Sequence, residues 1–416
     1  MGILFIKGAI MNIWRFFLLT SAFWATSAWA APYQIISVAE QVIGKFKYTE
    51  TVVQNGSDPR NRFKMHRVVK NHVPEQALKN PIILLPALGN NFSSYTVGLS
   101  ADGSDFKHSL AANLASKNID VWGYSPRVSQ LAPGSCGTTV DCSVAAGWGI
   151  ASRADDVEFI RQQIQLVHHY EKPVIGGHSL GGMLATAIVN QNPDGYDGVL
   201  LIDSTLVVND AGLQANYQIM CGGLRAAIAA GQTVNDQLNP LLITLMQLNV
   251  ANPTGISPFP FFPPGTTNRQ AFLLFMTSPS AGPPQSLFPT GFVLTAGSVA
   301  ENRFFFASEN VLNNSIARFD YYVTNAEVAD VACSFAGETT FTNNLSNFDG
   351  AVLAFEAAAG FGPFVEQQLA QFTNADDTLV VFDGFGHADP LMVPNRKTLL
   401  DKPIIKWLRT EVLKQK

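Results

Sequence analysis

Gly177-His178-Ser179-Leu180-Gly181-Gly182 sets a serine between glycines, where an apolar run gives way to a helix-like one. A serine placed for nucleophilic attack needs a sharp strand-to-helix turn with Oγ exposed, and such a turn tolerates only small neighbours. Gly177 and Gly181 supply them, and the start of a helix brings backbone donors close to any charge that develops there. The bare pattern occurs in many unrelated chains; its position between a predicted strand and a predicted helix gives it weight. The bland reading, a phosphate-binding glycine turn, lacks the Lys-Ser/Thr pair and the G-x-G-x-x-G spacing it would need.

A serine hydroxyl is too weak an acid to attack unaided, so a base is required. His168 and His169 end a predicted helix, where a cation suits the dipole. His66 and His72 fall in a lead-in region, His108 precedes a helix, and His178 on this turn is expected to point away from Oγ. His387 remains, in Asp383-Gly-Phe-Gly-His387-Ala-Asp389-Pro, just beyond the last predicted strand. A glycine-containing loop there can carry an imidazole across the top of a sheet. Asp155-Asp156 is read as an ordinary acidic helix start.

These residues require a sheet to hold them. Ile35 to Val69 alternates apolar and polar residues around Asn55-Gly56, which predicts a β-hairpin. From residue 81, apolar runs at Ile82–Leu85, Ile119–Gly123, Pro173–Gly176 and Val199–Ile202 alternate with helical spacing at Ser109–Lys117, Arg153–Tyr170 and Met183–Gln191. Such alternation means βαβ units and a mainly parallel sheet, with strands buried on both faces. The alternation lapses between about Ser204 and Asn347. That stretch holds two predicted helices, Gly212–Ala230 and Asp236–Val250, and the run Ser257 to Pro264, whose prolines exclude helix interior. Strands Val352–Phe355 and Leu379–Phe382 and a helix Lys402–Leu413 follow. The expected organisation is α/β, with a largely helical cap inserted between core strands. Residues 31–204 form the first part of the core, 205–347 the cap and 348–416 the second part.

Three segments, Ile83-Leu-Leu-Pro-Ala-Leu-Gly89, Val174-Ile-Gly-Gly-His-Ser-Leu-Gly-Gly182 and Gly384-Phe-Gly-His-Ala-Asp389, resemble the α/β-hydrolase superfamily, lipase- or esterase-like, over residues 80–205 and 350–415. The resemblance implies Ser179 as nucleophile, His387 as base, and backbone N–H donors for an oxyanion from Leu88 (with Ala87 as the other choice) and Leu180. Pro86-Ala87 stands where many relatives have His-Gly. The superfamily usually carries the acid in the loop after the strand assigned to Val352–Phe355, but that loop reads Glu356-Ala-Ala-Ala-Gly-Phe-Gly-Pro363 and has no aspartate. Asp203, at the end of Val199-Leu-Leu-Ile-Asp203, is the first choice, since some lipase-like relatives place the acid there. Glu356 is the alternative, and Asp383 reads as a turn residue. The resemblance implies a carboxylic ester hydrolase acting through an acyl-enzyme. A serine peptidase or amidase on the same scaffold and a non-catalytic secreted binding module are the competing readings.

Composition bounds the rest. Hydrophobic residues make up 47% and charged residues 14% of 416, so a large core is affordable and the charge density is low. The net charge of −5 gives no general reason to bind nucleic acid or anionic lipid. Seven histidines and four cysteines are scattered, with neither HExxH nor CxxC, so no metal and no cofactor is expected. Met11-Asn-Ile-Trp-Arg, the apolar run Phe16–Ala25 and Ala28-Trp-Ala30 read as a cleavable secretory signal over residues 1–30, with Met11 as an alternative start. The apolar run is shorter than the roughly 20 residues that span a bilayer. A secreted or periplasmic protein with no stable membrane span is therefore expected, and an oxidising compartment makes disulfides reasonable. Four cysteines allow three pairings; Cys136 with Cys142 closes a short loop, which leaves Cys221 with Cys333. Dense phenylalanines between Phe259 and Phe306 suggest apolar walls and an apolar acyl or aromatic substrate, small or lipid-like; for any one of them, packing of cap on core is the plainer reading.

Overall fold

The computed structural model describes residues 33–98, 106–168, 171–277, 294 and 301–412. The expected signal, residues 1–30, lies outside the described residues, as do His169, Phe288 and Phe292. The chain opens with β1 (Tyr33–Ile43), β2 (Phe46–Asn55) and β3 (Arg62–Lys70), an antiparallel meander. The predicted single hairpin is thus two, because Gly44, at φ 59°, makes a turn that the alternation did not announce.

The α/β alternation follows: β4 (Lys79–Leu85), α1 (Leu110–Ala115), β5 (Ile119–Ser125), α2 (Ile150–His168), β6 (Val174–His178), α3 (Leu180–Gln191) and β7 (Gly198–Ile202). An inserted stretch holds α4 (Ala211–Ala229), β8 (Val234–Asn235), α5 (Leu238–Ala251), α6 (Asn268–Thr277), α7 (Glu309–Ile316), β9 (Val323–Thr324) and α8 (Asn325–Phe335). The sheet resumes with β10 (Ala351–Ala357), α9 (Phe364–Leu369) and β11 (Asp376–Phe382), then α10 (Asp389–Met392) and α11 (Lys402–Thr410). Among the described residues the large sheet has nine strands in the order β1-β2-β3-β5-β4-β6-β7-β10-β11, parallel from β5 to β11.

The central strands are continuous apolar runs because helices cover both faces. Ile82, Leu84, Leu200, Ile202, Leu353 and Phe355 share one core with α1, α11 and residues of the insert such as Leu242, Phe272 and Leu312. Their strand neighbours Ile83, Leu85, Ile175, Leu201 and Val352 face α2, α3 and α9. The helix α2 begins three residues before the predicted Arg153. Asp155-Asp156, read as an acidic helix start, therefore lies beyond the first turn; Asp156 is instead buried and accepts from Arg127 Nη2 at 2.6 Å and Tyr124 OH at 3.1 Å, a structural ion pair. The run Ser257–Pro264 is free of helix.

Both disulfides join the cysteines anticipated, Cys136–Cys142 and Cys221–Cys333, the second tying α4 to α8. Their loops differ greatly, with sequence separations of 6 and 112. On loop-closure entropy the long bridge is worth about 4–5 kcal/mol and the short one about 2. Unfolding of a Cys221→Ser/Cys333→Ser variant in urea should therefore show the larger loss; equal losses for the two double variants would contradict this. Among the described residues no helix is long and apolar enough to cross a membrane.

Candidate active site

Ser179 caps the junction of β6 and α3 at φ 58°, ψ −124°, a conformation that costs of order 1–3 kcal/mol for a residue with Cβ. The turn survives because neighbouring strands brace it. Ser179 N–H donates to Ile202 O at 3.0 Å, and Ser204 Oγ–H donates to Ser179 O at 2.7 Å. Tyr95 OH donates to Leu85 O at 2.6 Å and accepts from His178 N–H at 2.9 Å. A Cβ on Gly177 or Gly181 would collide with the Leu85 carbonyl oxygen, so close strand approach dictates both glycines. Leu180 is the first residue of α3, so its N–H belongs to the donors a helix leaves unpaired.

His387 lies in the loop after β11. That loop is tied by Gly386 N–H to Asp389 Oδ2 at 2.8 Å and by Ala359 N–H to Phe385 O at 2.8 Å. Its Nδ1 stands 2.6 Å from Asp203 Oδ2. Asp203, fully buried at the end of β7, also accepts from Ala357 N–H at 2.9 Å and Phe361 N–H at 3.1 Å. The loop after β10, which lacks an aspartate, thus supplies donors to Asp203. A Cβ on Gly360 would strike the Asp203 carboxylate, so that loop is shaped around it. Burial pushes the Asp203 carboxyl up to about 7 against the pull of those two N–H donors, and burial lowers the His387 imidazole to about 3. A neutral imidazole that donates from Nδ1 to a carboxylate leaves the Nε2 lone pair available as a base.

The alternative acid, Glu356, sits at the end of β10, and its Oε2 is buried with no hydrogen-bond partner among the described residues. Burial first, then Glu366, Asp203 and Asp383, raise its carboxyl to about 7. Asp383 is exposed. Of the other histidines, His66 is buried between Tyr48 OH (2.8 Å) and Ser125 Oγ (2.7 Å), and His168 Nε2 lies 2.6 Å from Asp120. His178, expected to point away from Ser179 Oγ, lines the same cavity and turns its ring to the His387 loop. Its ring centroid is 4.5 Å from that of His387, and its Nε2 is 2.8 Å from His387 O. The backbone turn alone did not reveal this, because the contact is made by a loop 209 residues away.

Ser179 and His387 line one cavity of about 150 Å³ with Leu88, Tyr95 and Asn239. Its apolar wall is mostly aliphatic: Leu238, Leu242, Met276, Leu312, Leu391 and Met392. Of the phenylalanines between Phe259 and Phe306, Phe275 reaches it. Phe259, Phe261 and Phe262 cluster together, Phe272 meets Phe304, and Phe306 stacks on Phe385, so packing is their main use. The segment carrying Leu88 is held from the insert. Asn239 Nδ2 donates to Gly89 O at 3.1 Å and Asp320 O at 2.7 Å, and Asp320 N–H donates to Gly89 O at 3.0 Å. Asp320 in turn accepts from Asn91 Nδ2 at 2.8 Å and Ser129 Oγ at 2.7 Å. Tyr95, Asn239 and Asp320 belong to no motif, and only their contacts single them out.

No family model matches the chain, and no curated protein matches it in sequence. Solved structures do match in shape. A candidate lipase from Sulfolobus solfataricus superposes with a TM-score of 0.61 at 15% identity, over 92% of this chain and 99% of that one. A highly thermostable carboxyl esterase from Bacillus coagulans, in complex with glycerol, gives 0.51 at 11% identity, over 88% and 99%. At such identities the likeness is one of backbone. With a mainly parallel sheet, a serine on the β6–α3 turn and a histidine loop after the last strand, the chain has the α/β-hydrolase fold.

Proposed function

We propose that this chain is a secreted serine hydrolase that cleaves a carboxylic ester carrying an apolar acyl or aromatic group. The observation that carries the reading is the Asp203–His387 pair, whose imidazole shares a small, apolar cavity with Ser179. In this reading Ser179 Oγ attacks the ester carbonyl while His387 Nε2 takes its proton. The proton then goes to the departing alkoxide, leaving an acyl-enzyme. Water repeats the sequence, with His387 again as base, and releases the acid. Asp203 holds the tautomer and offsets the charge of the transient imidazolium. The N–H groups of Leu180 and Leu88 receive the oxyanion, each such donor being worth about 10²–10³ in rate. Residues 205–347 serve as a cap over the core, clamping the Leu88 loop and supplying one side of the wall.

Ester over amide is supported by the lining, which holds no Asp, Glu, Lys or Arg among the described residues to read a peptide terminus. The lipase and carboxyl esterase descriptions of the two fold neighbours agree with it. Export is supported by the residue pattern of 1–30 and by two disulfides.

A fluorophosphonate should label the folded protein at Ser179, with turnover of short p-nitrophenyl esters far above that of matching anilides. Folded protein that takes no label would favour a binding module, and anilides turned over as fast as esters would favour an amidase. The acid limb of kcat/KM offers a second test. His387 acts as base only while the Asp203–His387 pair carries no extra proton, and burial raises Asp203 to about 7 while lowering His387, so kcat/KM should fall on the acid side near pH 7 as one proton enters the pair. An acid limb well below pH 6 would contradict a buried carboxyl of raised pKa.

A further inference from the structure

A second cavity, a groove of about 1230 Å³, opens between α1, α11 and the β1–β2 turn, lined by residues distinct from those of the candidate active site. Seven cations line it: Lys45, Lys107, Lys117, Lys397, Lys402, Lys406 and Arg409. All seven are exposed, and none of Lys45, Lys117, Lys397, Lys402, Lys406 and Arg409 forms an ion pair among the described residues. The lining carboxylate, Asp401, is buried and engaged by Arg396 Nε at 3.3 Å and Asn113 Nδ2 at 2.6 Å, so among the described lining residues no exposed carboxylate offsets the cations. A net charge of −5 averages over the whole surface and hides this concentration. Lys402, Lys406 and Arg409 recur at i, i+4 and i+7 along about 10 Å of α11, opposite the buried Ile404, Trp407 and Leu408.

The groove is also partly apolar, with Phe106 and Ile405 half-buried between the cations. Through the turn at Ile43–Phe46 it continues into β1, an edge strand that exposes Ile35, Ile36, Val38 and Val42, the last two by 56% and 59%. Exposed apolar side chains beside exposed cations are the two components by which a protein surface holds to an anionic bilayer.

We propose that this face binds an anionic phospholipid surface, with Lys45, Lys117, Lys397, Lys402, Lys406 and Arg409 on the headgroups and the exposed apolar residues of β1 against the acyl boundary. Six of the seven lining cations are lysines, flexible point charges that suit a diffuse negative potential better than a fixed bidentate phosphate. Phe46, the other aromatic of the groove, is only 1% exposed and offers no face for a nucleic-acid base to stack on.

Flotation of the full chain with phosphatidylcholine vesicles, with and without 30% phosphatidylglycerol, tests this. Binding is expected to the anionic vesicles alone and should weaken between 0.1 and 0.5 M NaCl. Each basic residue near such a surface is worth about fivefold in partitioning, so Lys402→Glu/Lys406→Glu/Arg409→Glu should lose about 10²-fold or more. The milder Lys397→Gln/Lys402→Gln should lose about 25-fold and covers the case in which triple reversal unfolds α11. Both variants are compared at unchanged near-ultraviolet circular dichroism. No anionic-vesicle binding, equal binding to neutral vesicles, or binding indifferent to both variants overturns the proposal. Retention on heparin without vesicle binding also overturns it, in favour of a soluble polyanion. Every readout is independent of hydrolysis.

Discussion

Ser179→Ala is expected to lower kcat for a short p-nitrophenyl ester by about 10⁴–10⁶-fold and to abolish fluorophosphonate labelling. The size follows from the proposed chemistry. Without Oγ there is no acyl-enzyme, and what remains is the binding and the backbone donors of Leu88 and Leu180, which by themselves leave modest catalysis over water. The strained turn supplies an internal control. Alanine keeps the Cβ that φ 58° disfavours, whereas glycine relieves it. Ser179→Gly should therefore be as inactive as Ser179→Ala yet more resistant to urea, by about 1 kcal/mol. An alanine variant that keeps more than a hundredth of the turnover would remove Ser179 from the mechanism.

Asp203→Asn should cost about 10⁴-fold in kcat with KM little changed. The Asp203 carboxylate accepts from three directions, Ala357 N–H, Phe361 N–H and His387 Nδ1. An asparagine cannot satisfy them all. If its NH₂ faces His387, the ring must turn its other tautomer and lose the Nε2 lone pair. If it faces the backbone, two N–H donors meet another donor, which also costs stability. Glu356→Gln makes no such change. With Oε2 unpartnered and the carboxyl raised by burial, it should alter kcat by less than about 10-fold. Equal, mild effects of the two substitutions would sink Asp203 as the acid.

Much of this was legible in the sequence, for reasons that lie in short stretches of chain. The central strands sit where apolar runs are unbroken, because a strand covered on both faces has no solvent side to mark by alternation. Gly177 and Gly181 bracket Ser179 because a single turn requires small residues on both sides, and that requirement is local. The cysteine pairs were readable because one closes a loop of a few residues and the other is what is left.

Other features depend on contacts between distant segments. Asp203 was one candidate among carboxylates at strand ends, and its choice of partner follows from the Ala357–Phe361 loop folding over β7 with a glycine, Gly360, at the point of contact. The phenylalanines gave a composition but not a destination: among the described residues five of them pack on one another, and the cavity wall is drawn mainly from leucines and methionines of α5, α6, α7 and α10. Asn239 and Asp320 grip Gly89 from roughly 150 and 230 residues away, a hydrogen-bond pattern with no periodicity to betray it. The sequence by itself determined the fold class, the Ser179 turn and the histidine of the last loop, since each is a property of neighbours along the chain. The partner of that histidine, the walls of the cavity and the grouping of seven cations at one groove were decided only by the tertiary structure, because burial and hydrogen-bond satisfaction are settled between segments that the sequence keeps apart.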